Sequence, residues 1–414
     1  MRKLIKQKKS PYIPIAKARG FTATFGNHNK FYRMLPNFPN DSHFTVEWGR
    51  VGATAIKKIY SMAAWDKIYK DKITKGYVDQ SDLHDCVVTV LSESNYAPIA
   101  DQLVAELVDA LLAYSDNAIK KNYIVSSKDV TQAMIDLARE KIDQLYSVTS
   151  LSEVNAILSQ LFTIIPRKME KVEDYLAHTE MDAAEIITRE EALLDIMTGK
   201  VNQKTRHNIR NDNISNTILD ENNLTIRPCT MDEIRHIKKF LGKESEHKLK
   251  NAFYVKNIVT EACFYDYCSK NQISDKDIHY LYHGSRNENW WNILIQGLSL
   301  RPKKSVVRTG AMFGHGLYFA PRAKKSIGYT SLNGSYWSGG TSLTGFLAVY
   351  KVAYKNPFNV YRHTPAYKLF TKENVHRLGA DAIFASKDQG MLVNDEVVVY
   401  DDKQATIRYL IELA

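Results

Sequence analysis

Hydrophobic and polar residues alternate in short runs over residues 21–59. Runs such as FTATFG, KFYRMLP and HFTVEWG have the period of two that is typical of half-buried strands, and GNHN and NFPND between them carry turn residues. The next segment, MAAWDKIYKDKITKGYVD, places Ala64, Ile68 and Ile73 among lysines, which predicts an amphipathic helix with a basic exposed side. These patterns predict a small β-sheet and helix module over residues 1–96.

A helical period replaces the strand period over residues 97–205. In QAMIDLAREKIDQLY and LSEVNAILSQLF the apolar positions recur every three or four residues. Thr188 to Glu191 has the spacing of a capping box, and Gly199 is placed to end the helix that contains LLDIM. We therefore expect an α-helical bundle here, followed by an asparagine-rich linker over residues 206–222.

Strand-like runs dominate residues 223–414. NAFYVKNIV, IHYLYHG, GLYFA, FLAVYKVAYK, EVVVYD and IRYLIEL are rich in β-branched and aromatic residues. The Gly- and Ser-rich LNGSYWSGGTSLTG between two of them indicates a surface loop. The region is expected to be a mixed, β-rich domain, so the whole chain is predicted to be an α+β multidomain protein.

The net charge of +10 is concentrated at the start of the chain. Residues 1–75 contain 16 Lys and Arg against 4 Asp and Glu, a net +12, so the remaining residues sum to −2. Such a basic head is typical of a protein that binds nucleic acid phosphates, but a solubilising surface explains the charge equally well.

The composition argues against disulfides, a structural metal site, a membrane span and a secretory signal. The four cysteines form no Cys-x-x-Cys pair and no Cys/His zinc spacing, so neither disulfides nor a structural metal is expected. No apolar run is long enough for a membrane span or a secretory signal. We expect an intracellular protein with no membrane partner, in the nucleus of a eukaryote or in the cytoplasm or nucleoid of a prokaryote.

Three segments carry a recognisable order of residues. They are YHGSRNENWWNILIQGL with His283, TGAMFGHGLYFAPRAKKSIGY with Tyr318 and Tyr329, and NDEVVVYD with Glu396. This order resembles the catalytic domain of the poly(ADP-ribose) polymerases. The stretch FTVEWGRVG, which contains Trp48-Gly49-Arg50, resembles the WGR domain of the same enzymes. Together with the helical region, the chain is similar to the short DNA-dependent members, which consist of WGR, helical regulatory and ADP-ribosyltransferase domains.

The resemblance implies a set of site residues. The implied catalytic residues are Glu396, His283 and Tyr318. NAD, which is the substrate, is implied to contact His283, Gly284, Ser285, Asn289, Tyr318, Ser326 and Tyr329. Trp48 and Arg50 are implied to bind DNA, Lys325 is placed near the acceptor, and no metal is implied.

Each of these residues also has an ordinary structural explanation. A histidine after a strand is more often a structural residue than a ligand, Trp48 could be a half-buried core residue, and Arg50 could be a surface cation. It is the occurrence of the residues together, in this order and with these neighbours, that favours a site.

The expected function is a DNA-end-activated, NAD-dependent ADP-ribosyltransferase of the DNA damage response. It would bind DNA breaks and transfer ADP-ribose to acceptor proteins, itself included, with elongation to poly(ADP-ribose). Asn394 stands where polymer-forming members commonly have a tyrosine. The alternatives are a mono-ADP-ribosyltransferase, which could modify DNA ends, and an inactive DNA-end-binding scaffold.

Overall fold

The structure is a computed structural model, and it describes most of the chain. The residues described are 19–25, 28–37, 42–50, 54–79, 81, 96–125, 127, 130–209, 216–300, 312–362, 364–387 and 392–414. The basic segment before residue 19 lies outside the described residues, and so does Cys86. In the described part of the chain, no helix is both long and apolar enough to cross a bilayer.

In its described residues, the first module is a five-stranded antiparallel sheet with one helix of more than a single turn. The strand order is β4-β3-β2-β1-β5. Its elements are β1 (Arg19–Phe25), β2 (His28–Pro36), β3 (His43–Arg50), β4 (Ile56–Ser61), α1 (Trp65–Thr74) and β5 (Val78–Asp79). Helix α1 packs on one face, where the ring of Trp65 lies edge-on to that of Phe44 at 4.8 Å. Alternate residues of β2 and β3 form the small core beneath it.

Four helices follow in the described part of the chain, and two of them bury the apolar faces that the sequence predicted. They are α2 (Gln102–Asn122), α3 (Gln132–Leu145), α4 (Leu151–Ile164) and α5 (Glu180–Ile209). Capping fixes two of the starts, because the side chain of Asp101 accepts from the Val104 amide and that of Thr131 accepts from the Met134 amide.

The last helix of the bundle is longer than predicted. It runs from Glu180 through Ile209, so the predictions that Thr188 begins a helix and that Gly199 ends one are wrong. Both residues lie inside α5. The predicted linker starts within this helix, and α6 (Ile218–Glu221), with a capping box at Thr217, lies at its other end.

The C-terminal part contains two sheets. Its helices are α7 (Met231–Leu241), α8 (Ile258–Lys270), α9 (Trp290–Gln296), α10 (Ala323–Ile327) and α11 (Lys372–Arg377). One sheet has the order β6-β7-β14-β10-β8 and the other β11-β12-β13-β9. The strands are β6 (Leu224–Pro228), β7 (Leu249–Asn257), β8 (Ile278–Gly284), β9 (Leu317–Phe319), β10 (Gly345–Ala353), β11 (Pro357–Val360), β12 (Ala382–Ala385), β13 (Glu396–Val399) and β14 (Ala405–Leu413). All nine residues of β10 are buried, and this strand lies between β14 and β8 in the larger sheet. The α+β multidomain fold class is confirmed.

Helix α2 belongs to two hydrophobic cores. Its first half, from Val104 to Leu111, packs in one cluster with C-terminal residues such as Trp290 and Leu410. Its last turn, at Ile119, packs in the core of the helical bundle. The helical region is therefore joined to the C-terminal region through α2, which contributes to both cores.

Candidate active site

The two C-terminal sheets meet where the predicted site residues lie. An isolated antiparallel bridge joins Tyr282, near the end of β8, to Ala320, just after β9. Strand β13 is the neighbour of β9, with Val398 opposite Tyr318. The carboxyl end of β8, the end of β9 and the start of β13 therefore converge, and they carry His283, Tyr318 and Glu396.

His283 is held inside an aromatic cage. Its ring lies 5.9 to 6.4 Å, centroid to centroid, from the rings of Trp290, Phe319 and Tyr350. Its Nδ1 is 3.1 Å from the backbone carbonyl oxygen of Tyr318. Burial lowers the pKa of His283, and the hydrogen bond with Tyr318 opposes that shift. A neutral imidazole whose Nδ1 donates to a carbonyl leaves Nε2 as a hydrogen-bond acceptor, which is suited to a sugar hydroxyl.

Gly284 allows an unusually close approach of two backbone segments. A Cβ at this position would lie 1.8 Å from the carbonyl oxygen of Ser326 on α10. Ser326 is buried, and its hydroxyl donates to the carbonyl oxygen of Tyr282 at 3.1 Å. Only glycine fits here, and the predicted pair is in direct contact. The Ser326 hydroxyl proton is used in the hydrogen bond to Tyr282, and the hydroxyl oxygen can still accept a hydrogen bond.

Ser285 and Asn289 belong to one short hydrogen-bonded segment. The side-chain amide of Asn289 donates to the Ser285 hydroxyl oxygen at 3.0 Å, and the indole of Trp290 donates to the Ser285 carbonyl oxygen at 3.3 Å. Both predicted residues are partly exposed beyond the end of β8.

The two predicted tyrosines occupy different surroundings. The hydroxyl of Tyr318 donates to the Gly314 carbonyl oxygen at 2.8 Å and accepts from the Phe313 amide at 3.0 Å, and its ring packs against the hydrophobic cluster around Phe313. Tyr329 lies one turn beyond Ser326 and keeps 41% of its surface exposed. Burial of the hydroxyl end raises the pKa of Tyr329. Tyr329 therefore has an accessible ring, whereas Tyr318 is fixed by its hydroxyl.

Glu396 begins β13 and is ion-paired with Lys325 of α10. The two side chains are only 12% and 11% exposed. Burial lowers the pKa of Lys325 to about 8, and the nearby Asp395 opposes that shift. Contact with a carboxylate favours the charged form of the lysine. The charge of Glu396 is therefore balanced by the ammonium group of Lys325.

The residues predicted to bind DNA lie on the first sheet. Trp48 is partly buried, and its ring is 6.4 Å from that of Tyr32 in the module's core. Arg50 is exposed at the end of the same strand and lies opposite Lys30 of β2. Trp48 therefore packs against the module's core with part of its surface exposed, and Arg50 with Lys30 forms a small basic pair at the strand ends.

Two features of the site were missed by sequence reasoning. Trp337, in the loop that was expected only to be a surface loop, stacks on Tyr329 with ring centroids 6.1 Å apart and planes 17° apart. Ser115 of α2 donates to the backbone carbonyl oxygen of Glu288 at 3.0 Å. The adjacent aromatic residues in SYWSGG were a signal for the first, but no local pattern indicates the second. Among the described residues, no three His, Cys, Asp or Glu side chains group in a way that could hold a metal ion.

Comparison with known proteins identifies both ends of the chain. Residues 231–414 match the poly(ADP-ribose) polymerase catalytic domain, and residues 18–83 match the WGR domain. The C-terminal part is therefore an ADP-ribosyltransferase catalytic domain, of a type that uses NAD⁺ as its substrate. The chain thus combines a catalytic domain of the poly(ADP-ribose) polymerase type with a WGR domain, and it is homologous to members of that family.

Similar proteins occur in viruses, animals and plants. The uncharacterized protein 101L of Invertebrate iridescent virus 6 is 30% identical over 198 residues, which are 47% of this chain and 81% of that protein. Poly [ADP-ribose] polymerase 1 of Xenopus laevis is 24% identical over 482 aligned positions, covering 95% of this chain and 45% of the relative. Poly [ADP-ribose] polymerase 2 of Arabidopsis thaliana is 32% identical over 162 residues, 34% of this chain and 24% of the relative. The chain thus spans less than half the length of these two polymerases.

Proposed function

We propose that this protein is a DNA-end-activated ADP-ribosyltransferase that modifies proteins, itself included, and elongates the product to poly(ADP-ribose) in the DNA damage response. The observation that supports this most directly is the convergence of His283, Gly284 and Glu396 at the junction of the two C-terminal sheets. The catalytic-domain and WGR-domain matches support the two halves of the proposal, transfer and DNA binding.

The chemistry assigned to these residues follows from the bond that must break. Cleavage of the bond between nicotinamide and ribose sends the electron pair to the ring nitrogen, so neutral nicotinamide leaves and positive charge develops on the sugar. The Glu396 carboxylate would stabilise this charge and orient the attacking hydroxyl, which loses its proton as the new bond forms. His283 would accept a hydrogen bond from a ribose hydroxyl, and the backbone at Gly284 would bind the carboxamide of the leaving group.

Contacts from the helical region support regulation by DNA. Ser115 holds the Glu288 carbonyl, in the same segment as Ser285 and Asn289. Gly199 of α5 lies against Asn292 of α9, because a Cβ at Gly199 would be 2.6 Å from the Asn292 side-chain oxygen.

A third contact joins the bundle to the loop before β9, where the ring of Tyr146 lies edge-on to that of His315 at 6.2 Å. We propose that these three contacts hold the substrate-binding segment in a resting state. DNA bound by the WGR module would favour a state in which they are broken, and it can do so only if it binds that state more tightly.

The test is incubation with labelled NAD⁺, with and without a short 5′-phosphorylated DNA duplex, using the wild type and Glu396→Gln. Glu244→Gln is the matched control, because Glu244 is 55% exposed and forms a surface ion pair with Lys324. We expect a DNA-dependent ladder of automodified protein that Glu396→Gln reduces by at least about 100-fold in rate and Glu244→Gln leaves unchanged.

The outcomes separate the alternatives. A single sharp band instead of a ladder would indicate mono-ADP-ribosyl transfer, and label on the duplex would indicate modification of DNA ends. Equal rates with and without DNA would contradict the switch. No label in any condition, combined with DNA binding, would make the protein a DNA-end-binding scaffold. Residence inside the cell, in the compartment that holds DNA, is part of the same proposal.

A further inference from the structure

The loop over residues 331–344, between α10 and β10, is fastened to the segment that follows His283. The Asn287 amide donates to the Ser331 hydroxyl oxygen at 2.9 Å, and the Asn287 side chain donates to the Thr344 carbonyl oxygen at 2.8 Å. In the middle of the loop, Arg286 donates to the Ser338 carbonyl oxygen at 3.2 Å. The loop is therefore tied at both ends and at its centre to the residues beside the site.

The same loop is also hydrogen-bonded to the turn that precedes it, at Gly328. The amides of Trp337 and Ser338 both donate to the Gly328 carbonyl oxygen, at 2.9 and 3.1 Å. A Cβ on Gly328 would lie 2.8 Å from Cδ1 of the Trp337 indole, so the glycine lets the indole lie against the backbone. The Ser335 hydroxyl donates to the Ile327 carbonyl oxygen at 2.8 Å. These bonds fix the position of Trp337, although 52% of its surface is exposed.

The fixed indole lies beside Tyr329, with its plane nearly parallel to the tyrosine ring. The two rings are nearly parallel, at 17°, with centroids 6.1 Å apart, which is an offset-stacked arrangement. Tyr329 follows directly after the turn in which the Ser326 carbonyl abuts Gly284. An exposed tyrosine without such a backing would exchange between rotamers, and a stacking platform must be held in place to bind a flat ligand well.

We propose that Trp337 is a positioning residue for the nicotinamide end of NAD⁺, and that its indole holds the Tyr329 ring in the orientation in which that ring stacks on the pyridinium. This inference rests on the proposed function, because it requires that NAD⁺ binds at Gly284 and Tyr329. A cationic pyridinium interacts with an aromatic face more strongly than the neutral nicotinamide that leaves. Loss of the backing should therefore weaken substrate binding without slowing the chemical step to the same extent.

The test compares variants at Trp337 in the full-length protein. Trp337→Ala and Trp337→Leu remove the aromatic face, and Trp337→Phe keeps it. Leu343→Ala is the matched control, because Leu343 lies in the same loop and is 86% exposed. The measured quantities are KM and kcat for NAD⁺, the inhibition constant of nicotinamide, binding of nicotinamide by calorimetry, and the thermal unfolding midpoint of each variant.

We expect KM and the nicotinamide constants to rise about 2- to 10-fold in Trp337→Ala and Trp337→Leu, the range that corresponds to one aromatic pair. The value of kcat should stay within about 2-fold of the wild type. Trp337→Phe should restore most of the affinity, and Leu343→Ala should match the wild type. Recovery in Trp337→Phe but not in the equally apolar Trp337→Leu separates stacking from general packing.

Two results would overturn the inference. Wild-type affinity in both Trp337→Ala and Trp337→Leu, or a fall in kcat with unchanged KM, would remove the positioning role and leave the proposed function intact. A wild-type protein that neither consumes NAD⁺ nor binds nicotinamide would remove the proposed function, and the positioning role with it. If Trp337→Ala unfolds, Trp337→Leu and Trp337→Phe still decide the question.

Discussion

The ammonium of Lys325 and the carboxylate of Glu396 form an ion pair in which both side chains are almost entirely shielded from solvent. Lys325 comes from the same short helix as Ser326, and Glu396 begins the strand beside β9. The ion pair therefore links the helix that abuts Gly284 to the strand that carries the proposed catalytic carboxylate. Substrate that contacts Glu396 must do so in the presence of this lysine.

Lys325→Met should destabilise the protein, because it leaves a shielded carboxylate without its cation. Breaking one side of a buried pair costs about 3 kcal/mol. Lys324→Met is the control, since Lys324 is 69% exposed and its pair with Glu244 is on the surface, where removal changes stability by about 0.5 kcal/mol or less. Urea unfolding of the two variants measures the difference. Equal urea midpoints for the two variants would show that the Lys325–Glu396 ion pair contributes no more to stability than a surface ion pair.

Gly284→Ala should damage the site and the fold together. The added Cβ would meet the backbone oxygen of Ser326 at 1.8 Å, and neither backbone can move without separating β8 from α10. We expect a loss of about 3 kcal/mol or more in unfolding free energy and loss of nicotinamide binding. Gly334→Ala is the comparison, because its Cβ would meet nothing within 4 Å and its cost comes only from a φ of +80°, about 1 kcal/mol. Similar losses in both variants would contradict the close approach.

His283 should make stability fall at mildly acidic pH. Its pKa in the folded protein is below the ordinary value of 6.5, so below pH 6.5 the unfolded chain takes up a proton that the folded chain refuses. The stability contributed by the neutral imidazole is complete above pH 6.5 and is lost as the pH falls through this window, by up to about 1.4 kcal/mol per pH unit. Urea midpoints from pH 7.5 to 5 should slope less steeply in His283→Gln than in the wild type. His236→Gln, at an exposed position, should keep the wild-type slope.

Gly199→Leu should raise activity in the absence of DNA. A side chain at this position must displace Asn292 and push α5 away from α9, which weakens the proposed resting state. A coupling of about 1 kcal/mol corresponds to roughly a 5-fold rise in NAD⁺ consumption without DNA, with little change when DNA is present. The measurement is the ratio of the two rates.

The smaller change Gly199→Ala provides the control for this contact. Its single methyl group meets the Asn292 side-chain oxygen, so adding Asn292→Ala should return the ratio to the wild-type value. An unchanged ratio in Gly199→Leu would mean that this helix contact does not restrain the enzyme.

Sequence patterns predicted the elements whose burial is periodic and failed where the cause was a distant partner. Helices α3 and α4 follow their apolar period, and the family motifs led directly to His283 and Glu396. Gly199 was interpreted as a helix end because glycine is common there, but in the fold its missing side chain makes room for Asn292 on another helix. The stacking of Trp337 was missed for a related reason. It depends on hydrogen bonds that tie a polar loop to Asn287 and Arg286, and loop composition does not encode such bonds.

We expect the two halves of helix α2 to open in different local unfolding events. Residues 104–111 share a core with the catalytic sheets, so their amides can exchange with solvent only when that core opens. Ile119 and the last turn belong to the core of the bundle, so their amides exchange when that core opens. The helix should therefore show a step in hydrogen-exchange protection near Ser115, where its side chain bonds to Glu288. If the bundle opens while the catalytic core stays closed, helix α2 must bend or fray near Ser115. Ser115 would then be the hinge of the helix.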